Sequence, residues 1–305
     1  MKKGNQKPVV INSIFELHRI LELPRPAHPL ISIVQYDAKF DVEEVSKAFV
    51  LNFYMVCLKR NFIGKLRYGQ HSYDFDGGAL SFISPHQLIS EPIESNSEYS
   101  GTFLLIHPDF LNGYPLAKQI KTYGFFSYSA NEALSLSEEE EASIVAVLDN
   151  IKKEYSATID SYTQDVIISH LELLFSYSNR FYNRQFITTK SLNHDLLTRF
   201  EALLVDHFNN EETLSKGIPT VNALADQLNI SAGYLSDMLR ALTGQNAQQH
   251  IHAKMIEKAK EILSTSNLTV AEVAYQLGFG HPQSFSKIFK RKTNISPIDF
   301  RNSNN

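Results

Sequence analysis

The amino-acid sequence predicts an α+β protein of two domains, an N-terminal β-barrel followed by helices and a C-terminal domain built only of helices. Two observations support this prediction. Short segments rich in aromatic and β-branched residues, separated by turn residues, follow one another between residues 49 and 106. Beyond residue 190 the apolar residues recur at helical spacing instead, and one helical pattern occurs twice.

Composition is that of a folded protein with room for two cores, since 43% of the 305 residues are hydrophobic. The single cysteine, Cys57, lies in an apolar run and is expected to be a buried small hydrophobe in a reducing compartment. No apolar run is long enough to cross a membrane, and the basic start is followed by too short an apolar stretch for a signal peptide. We therefore expect a soluble cytoplasmic protein with no membrane partner.

The N-terminal domain is expected to begin with a helix from Asn12 or Ser13 to Leu21, followed by a proline-rich spacer. Five strands are then predicted, and their spacing indicates a small barrel over residues 28–110. Their sequences are FVLNFYMVCL, FIGKLRY, QHSYDF, ALSFIS and TFLLI.

Two helices are predicted over residues 137–184, after the barrel. The first begins with a capping box of Ser137 and Glu140 and runs to about Tyr155, and its run of glutamates is interpreted as a solvated helix start. The second is predicted from Ser161, with Gln164, to about Arg184.

Catalytic chemistry has no visible place in this sequence. His71, His86 and His107 stand apart, without the pair of histidines one residue apart that usually contributes to a metal site in such barrels. A glycine-rich phosphate loop and a nucleophile elbow are also missing. The expectation is a protein that is not an enzyme, with no metal site and no assigned cofactor site.

The internal repeat is the most informative feature of the chain. In the first copy Ala225 and Leu228 precede Asn229, which tolerates a left-handed turn, and Ser231 then caps a second helix. The second copy lies about fifty residues later, has Gly278 at the turn and carries one more residue there. The paired positions are Ala225 with Ala274, Leu228 with Leu277, Ile230 with Phe279, Leu235 with Phe285, Met238 with Ile288, Arg240 with Lys290 and Thr243 with Thr293. Each copy predicts a helix-turn-helix.

A single helix from Ala247 to Leu263 is predicted between the two copies. At the α-helical rise it is ~25 Å long. Two recognition helices that read successive major-groove faces on one side of B-DNA must sit about 34 Å apart, and a stiff helix between two small bundles can hold them there.

The last 110 residues resemble the DNA-binding domain of AraC/XylS-type transcription regulators, on the tandem motif, its joining helix with AKEIL, and the closing GF, FSKIFKRKT, SP and FR. GGALSFISPHQ resembles a segment of the cupin-like sensor domains of the same proteins. The resemblance implies a cupin-like sensor and dimerisation domain over residues 1–187 and a DNA-binding domain over 188–305. It also implies promoter DNA as partner, a homodimer, and RNA polymerase and a small-molecule effector as further candidates.

The same resemblance places eight residues on the groove side of the two recognition helices, and a cationic patch adds Lys290 and Arg291 as phosphate contacts. Gln283 can pair with adenine and Lys287 can donate to guanine, whereas Lys290 and Arg291 belong to a cationic patch that ends at Arg301 and suits phosphates. The alternative interpretation of this patch is a solvated helix end that complements the helix dipole. The predicted DNA-binding residues are Gly233, Ser236, Asp237, Arg240, Pro282, Gln283, Ser286, Lys287, Lys290 and Arg291.

The helix over residues 161–184 carries two apolar stripes, which is more apolar surface than one docking face needs. Ile167, Leu171, Leu174 and Phe181 form the first stripe, and Val166, Leu173 and Tyr177 form the second. The first stripe is assigned to dimerisation, as an antiparallel helix pair across a two-fold axis. The alternative is packing onto the barrel alone.

The sequence thus predicts a regulator that lays helices 231–242 and 282–292 in the major groove of promoter DNA. Two alternatives remain open: a cupin-type metal-dependent enzyme with a regulatory tail, and a ligand-binding signalling module whose tail does not read DNA.

Overall fold

A computed structural model gives the structure of the chain. It describes residues 8–36, 49–60, 65–68, 71–74, 78–89, 100–129, 132–158, 160–188, 190–210 and 217–304, with 65–68, 71–74, 190–192 and 304 described by their backbone alone. The chain divides into two compact units, Met1–Gln185 and Phe186–Asn305, a few residues from the predicted boundary. The first unit contains the sheets and the second is helical, which confirms the α+β class.

The described strands of the first unit form three sheets. They are β1 (Val9–Ile11), β2 (Ile31–Tyr36), β3 (Phe49–Leu51), β4 (Tyr54–Arg60), β5 (Lys65–Tyr68), β6 (His71–Asp74), β7 (Ala79–Ile83), β8 (Leu88–Ile89), β9 (Ser100–Ile106) and β10 (Leu134–Ser135). An antiparallel sheet has the order β10-β7-β4-β9-β2, β1-β3-β8 forms a second sheet, and β5 pairs with β6. The described strands therefore do not close into one barrel, and the predicted barrel is not confirmed.

The central strand β4 carries Cys57, which lies opposite Phe103 on one side and Ser81 on the other. Its side chain is 3% exposed and belongs to the core of the first unit, where burial raises the pKa of the thiol. The prediction of a buried small hydrophobe is confirmed. The sequence does not predict β1 or β2 as separate strands. For β1 the reason is that it pairs in parallel with the distant β3 and leaves no hairpin signal in the sequence.

Helices of the first unit are α1 (Ile14–Ile20), α2 (Leu116–Gln119), α3 (Glu138–Ser156) and α4 (Thr163–Thr188), with short 3₁₀ turns between β9 and β10. Ser13 caps α1, and the capping box of Ser137 and Glu140 opens α3, both as predicted. The start of α4 is different. The Asp160 carboxylate accepts the backbone N–H groups of Tyr162 and Thr163, at 2.8 and 3.0 Å, so the predicted cap at Ser161 is wrong.

Two glutamates at the start of α3 do more than face water. Glu140 accepts from the guanidinium of Arg184, with oxygen–nitrogen distances of 2.5 and 2.9 Å. Glu141 pairs with Arg60 at 2.5 Å and accepts the backbone N–H of Gly78 at 2.7 Å. The interpretation of this run as a solvated helix start is wrong for these two residues, since both join α3 to distant parts of the unit.

The first apolar stripe of α4 is part of the core. Ile167, Leu171, Leu174 and Phe181 are 2%, 0%, 0% and 7% exposed in the single chain. A second chain cannot reach side chains that are already covered, so their assignment to a dimer interface is wrong and the alternative of packing inside the unit describes them. Val166 and Leu173 of the second stripe are the exposed pair, at 37% and 42%.

Helices of the second unit are α5 (Lys190–Asn209), α6 (Val221–Leu228), α7 (Ala232–Thr243), α8 (Ala247–Thr265), α9 (Val270–Gln276), α10 (Pro282–Thr293) and α11 (Pro297–Asn304). Ser191 and Asn193 both lie inside α5. Asn193 is buried, and its side-chain amide donates to the carbonyl oxygen of Phe186 at 2.7 Å.

Histidines of the first unit do not converge within the described residues. His86 is exposed, and His107 accepts the N–H of Asp109 at the start of a 3₁₀ turn, while the side chain of His71 lies outside the described part. Among the described residues, no group of three or more His, Cys, Asp or Glu side chains could hold a metal ion. Within the same ranges, every helix is too short or too polar to traverse a lipid bilayer.

Candidate nucleic-acid interface

The first helix-turn-helix consists of α6 and α7. Asn229 ends α6 with a left-handed backbone, at φ 58° and ψ 41°, and the next N–H, of Ile230, donates to the carbonyl of Ala225. Ser231 then accepts the N–H of Tyr234 and starts α7, as predicted. Leu235, Met238 and Leu239 form the buried side of α7.

The second helix-turn-helix, α9 and α10, repeats this geometry with one addition. Gly278 takes the left-handed position at φ 82°, and Phe279 donates to Ala274 as Ile230 donates to Ala225. Two residues, Phe279 and Gly280, then precede the N-cap of α10, where the first copy has Ile230 alone. The predicted insertion in the turn is therefore confirmed.

Equivalence of the copies extends beyond the recognition helices. Thr243 and Thr293 each donate to the carbonyl four residues earlier, at 2.8 Å in both copies, and each accepts the N–H two residues later. Left-handed residues, Gly244 and Asn294, then end α7 and α10. The predicted pairing of the two threonines is confirmed, and it shows that the repeat unit includes its C-terminal turn.

Both motifs pack on the joining helix α8, which begins at a capping box of Asn246 and Gln249. One continuous apolar side faces α7, α9, α10 and α11, and its buried residues are Ala247, Ile251, Met255, Ile256, Ala259, Ile262 and Leu263. The predicted single helix is confirmed. The two motifs therefore share one helix as their common support.

The outward side of α7 combines two opposite charges. Arg240 is exposed, and its guanidinium lies 2.6 Å from the Asp237 carboxylate one turn earlier. Gly233 and Ser236 are half-buried beside them. The pair places a donor and an acceptor for base edges side by side, while its net charge is zero, so this helix attracts phosphates weakly.

The outward side of α10 is cationic. Gln283, Lys287, Lys290 and Arg291 are exposed, and Pro282 and Ser286 are half-buried at the same side. Phe285 and Phe289 fill the opposite, buried side. All six residues predicted on this helix therefore lie outside the core, and contact with DNA stays a prediction for them and for the four on α7.

His252 of α8 lies close to the cationic end of α10, a neighbour that the sequence does not indicate. Partial burial lowers the pKa of its imidazole, and the positive charges of Lys292 and Arg291 lower it further. These three groups thus lie near one another at the C-terminal end of α10. Neither helical spacing nor composition brings α8 and α10 together, so no signal in the sequence could have identified this cluster.

Arg301 has a different role from the one predicted. Its guanidinium donates to the carbonyls of Leu268 and Leu263, at 2.5 and 3.3 Å, and so it holds the end of α8 and the following link. Because these donors are directed at the protein backbone, the predicted inclusion of Arg301 in the phosphate patch is wrong. The patch consists of Lys287, Lys290, Arg291 and Lys292.

Comparison with known proteins agrees with this arrangement. The family model of a helix-turn-helix domain matches residues 224–303. The transcriptional activator RhaS of Salmonella paratyphi B is 31% identical over 135 residues, which are 44% of this chain and 46% of that protein. RhaS of Salmonella newport matches to the same extent. The match thus spans less than half the length of these relatives.

Solved structures similar to this chain include two C-terminal or DNA-binding domains. That of the response regulator yesN of Fusobacterium nucleatum is 33% identical and covers 33% of this chain and 96% of the domain, with a TM-score of 0.29. That of the global transcriptional factor AdpA, solved with a target DNA, is 27% identical over 35% of this chain and 90% of the other, with a TM-score of 0.30. Residues 224–303 therefore contain a helix-turn-helix domain, and the C-terminal part of the chain is similar to the RhaS activators, in agreement with its resemblance to AraC/XylS-type regulators.

Proposed function

We propose that this chain is a transcription regulator that binds promoter DNA, with α7 and α10 in successive major-groove faces. The observation that supports it best is the duplication itself: two equivalent helix-turn-helix motifs, each with an outward polar side, are packed on one stiff helix. Helices of this kind enter the major groove and present side chains to base edges. The RhaS relatives are described as transcriptional activators.

The two recognition helices are proposed to contribute unequally. Three cationic side chains toward the C-terminal end of α10, Lys290, Arg291 and Lys292, favour phosphates and give most of the salt-dependent affinity. The Asp237–Arg240 pair of α7 has no net charge. Its carboxylate repels phosphates, but it can accept a hydrogen bond from a base donor such as cytosine N4. The first helix is then the more selective one, and the second is the stronger anchor.

Selection of bound sequences from random duplex DNA with the full-length chain tests the proposal. We expect a recurrent site with two conserved segments about one helical turn apart. Lys290→Ala should reduce the slope of log K against log salt by about one unit, because one counterion fewer is released. Lys153→Ala is the matched control, since it removes an equal charge from an exposed position of α3 in the first unit. A selection that enriches no sequence would refute the proposal.

We also propose that the chain is a homodimer through the outward stripe of α4. Val166 and Leu173 are exposed on that stripe, with Tyr162 at its N-terminal end, 69% exposed, and Tyr177 half-buried further along. A two-fold axis would pair the same stripe of two chains and cover both copies. The occupant we favour is therefore a second copy of this chain.

Light scattering of a double variant tests the dimer. Val166→Glu with Leu173→Glu should give folded monomer, because charges on both residues oppose a dry contact. Ser176→Glu with Asn183→Glu is the control, as these exposed residues of α4 lie outside the stripe. Wild-type chain that is monomeric at every concentration, or a double variant that stays dimeric, would contradict the proposal.

For the first unit we propose a cupin-like sensor role with a small-molecule effector, and RNA polymerase as a further partner of the whole chain. The support is the resemblance of GGALSFISPHQ, which covers β7 and the turn after it. A screen of small metabolites by thermal unfolding tests the sensor role. A ligand that stabilises the chain and also changes its DNA affinity is the expected result. A screen in which every stabilising ligand leaves DNA affinity unchanged would contradict it.

A further inference from the structure

Gly278, in the turn of the second helix-turn-helix, lies against the backbone of a distant segment. A Cβ atom at this position would lie 2.3 Å from the Cα of Gly217, 2.8 Å from its carbonyl carbon and 3.0 Å from the N of Ile218. Gly217 and Ile218 lead directly to Thr220, the N-cap of α6. The turn of the second motif therefore contacts the entry to the first motif, through two glycine residues.

The left-handed conformation alone does not require glycine at this position. At the equivalent turn of the first copy Asn229 adopts it with φ 58°, and at the C-terminal turns Gly244 and Asn294 share it. A Cβ on Gly244 would meet nothing within 4 Å, unlike one on Gly278. Glycine at 278 is thus demanded by the close approach to Gly217, and not by the turn itself.

Gly217 also makes a hydrogen bond with a residue of α5. The ring Nε2 of His207, near the end of α5, lies 2.8 Å from the carbonyl oxygen of Gly217. Gly217 has its own left-handed backbone, at φ 89°. The hydrogen bond from α5 and the backbone contact from the second motif therefore meet at Gly217.

This contact gives the second motif two attachments to the rest of the unit. One is its packing on α8, and the other is the contact between Gly278 and Gly217. Packing on α8 holds the second motif along one side, and the contact with Gly217 adds a second constraint at its turn. The relative position of α7 and α10 then depends on whether these two glycine residues can touch.

We propose that the Gly217–Gly278 contact is a positioning element, which sets the separation of the two recognition helices and hence the spacing of the two DNA segments that the chain accepts. The effect on DNA rests on the proposed function, whereas the effect on helix separation does not. A side chain at residue 278 should push the second motif away from Gly217 and Ile218 without changing any side chain on the outward sides of α7 and α10.

The first test measures helix separation without DNA. Spin labels on cysteines at Ser236 of α7 and Ser284 of α10, in full chain with Cys57→Ala, report the distance distribution between the two helices. Gly278→Asn should shift or broaden this distribution, because asparagine accepts the left-handed backbone but adds the Cβ. Gly244→Asn is the matched control: it has the same change at a left-handed glycine in open space, and its distribution should match that of the parent.

The second test uses the duplex selected by the wild-type chain, with one or two base pairs inserted between its conserved segments. One inserted base pair turns the second segment by about 35° away from its helix, and we expect wild-type affinity to fall roughly tenfold. For Gly278→Asn the loss on insertion should be about threefold or less, and for Gly244→Asn it should equal that of wild type.

The possible outcomes separate the two proposals. A folded Gly278→Asn variant with the wild-type distance distribution overturns the positioning role. A changed distribution with no DNA sequence selected by wild-type chain keeps that role and refutes the proposed function. If Gly278→Asn does not fold, His207→Ala replaces it, since it removes the hydrogen bond that holds Gly217. A broader distribution in that variant supports the role, and an unchanged one overturns it.

Discussion

The ring of Phe186 lies edge to face against the ring of Tyr234, with centroids 5.0 Å apart and planes inclined by 70°. Phe186 is the first residue of the second unit and lies in the last turn of α4, whereas Tyr234 is in the first turn of α7. Both side chains are almost fully buried, at 2% and 0%. The first recognition helix thus rests on an aromatic pair that joins distant parts of the sequence.

Phe186→Ala should destabilise the second unit by about 3–5 kcal/mol, the usual cost of removing a buried phenylalanine ring. Phe186→Leu should cost less, since it leaves a smaller cavity. Urea unfolding of both variants, followed by the fluorescence or circular dichroism of the helical unit, measures the difference. Equal stabilities of the alanine variant and wild type would show that the aromatic contact contributes nothing to the unit.

Arg301 and Lys290 should respond oppositely to substitution. Arg301→Gln removes hydrogen bonds to the carbonyls of Leu263 and Leu268, so we expect lower thermal stability and an unchanged salt slope of DNA binding. Lys290→Ala should leave stability nearly unchanged and flatten the slope, as its side chain is exposed. A flattened slope in Arg301→Gln would return this arginine to the phosphate patch.

Lys287 and Arg291 differ in the kind of DNA contact expected. Lys287 is exposed on the outward side of α10 and is proposed to contact a base edge, so Lys287→Ala should cost on the order of 1–3 kcal/mol on the selected duplex and much less on scrambled DNA. Arg291→Ala should weaken both duplexes equally, since phosphates carry no sequence information. Titrations of both variants on both duplexes provide the comparison. Equal losses for Lys287→Ala would make it a phosphate contact.

The two apolar stripes of α4 predict contrasting variants. Leu171→Glu should unfold the first unit, because its side chain is 0% exposed and a buried unpaired charge is very costly. Leu173→Glu should leave the unit folded, since this neighbouring side chain is 42% exposed. Near-ultraviolet circular dichroism distinguishes the two. A folded Leu171→Glu variant would mean that this part of α4 separates easily from the core.

Stability of the second unit should decline in mild acid through His252. Partial burial and the charges of Lys292 and Arg291 lower the pKa of this imidazole in the folded chain, whereas the unfolded chain has the ordinary value of about 6.5. Below that pH the unfolded state binds a proton that the folded state does not, so stability is full above about pH 6.5 and falls as the pH drops through the lowered pKa.

Urea midpoints between pH 8 and pH 5 measure this dependence. His252→Gln should show a smaller decline than wild type, because the residue that titrates is gone. His281→Gln, at an exposed histidine before α10, is the matched control and should follow the wild-type profile. Profiles that coincide for wild type and His252→Gln would show that other groups cause the decline.

Features that depend on nearby residues could be predicted from the sequence alone. Capping boxes, the left-handed turns at Asn229 and Gly278 and the buried sides of α7 and α10 follow from residues within a few positions of one another. The repeat made these predictions firmer, because each copy supplies an independent example of one pattern. Outward positions such as Lys287 could be found for the same reason, as the apolar positions of a helix define its opposite side.

Features that depend on which elements meet were decided by the tertiary structure. Two apolar stripes on α4 are equivalent in the sequence, and only packing inside the first unit made Leu171 core and left Leu173 exposed. Arg301 is one more cation in the sequence, but the end of α8 lies within its reach. Gly217 gave no signal at all, because its role depends on Gly278, about sixty residues away, and helical or strand periodicity describes only neighbours along the chain.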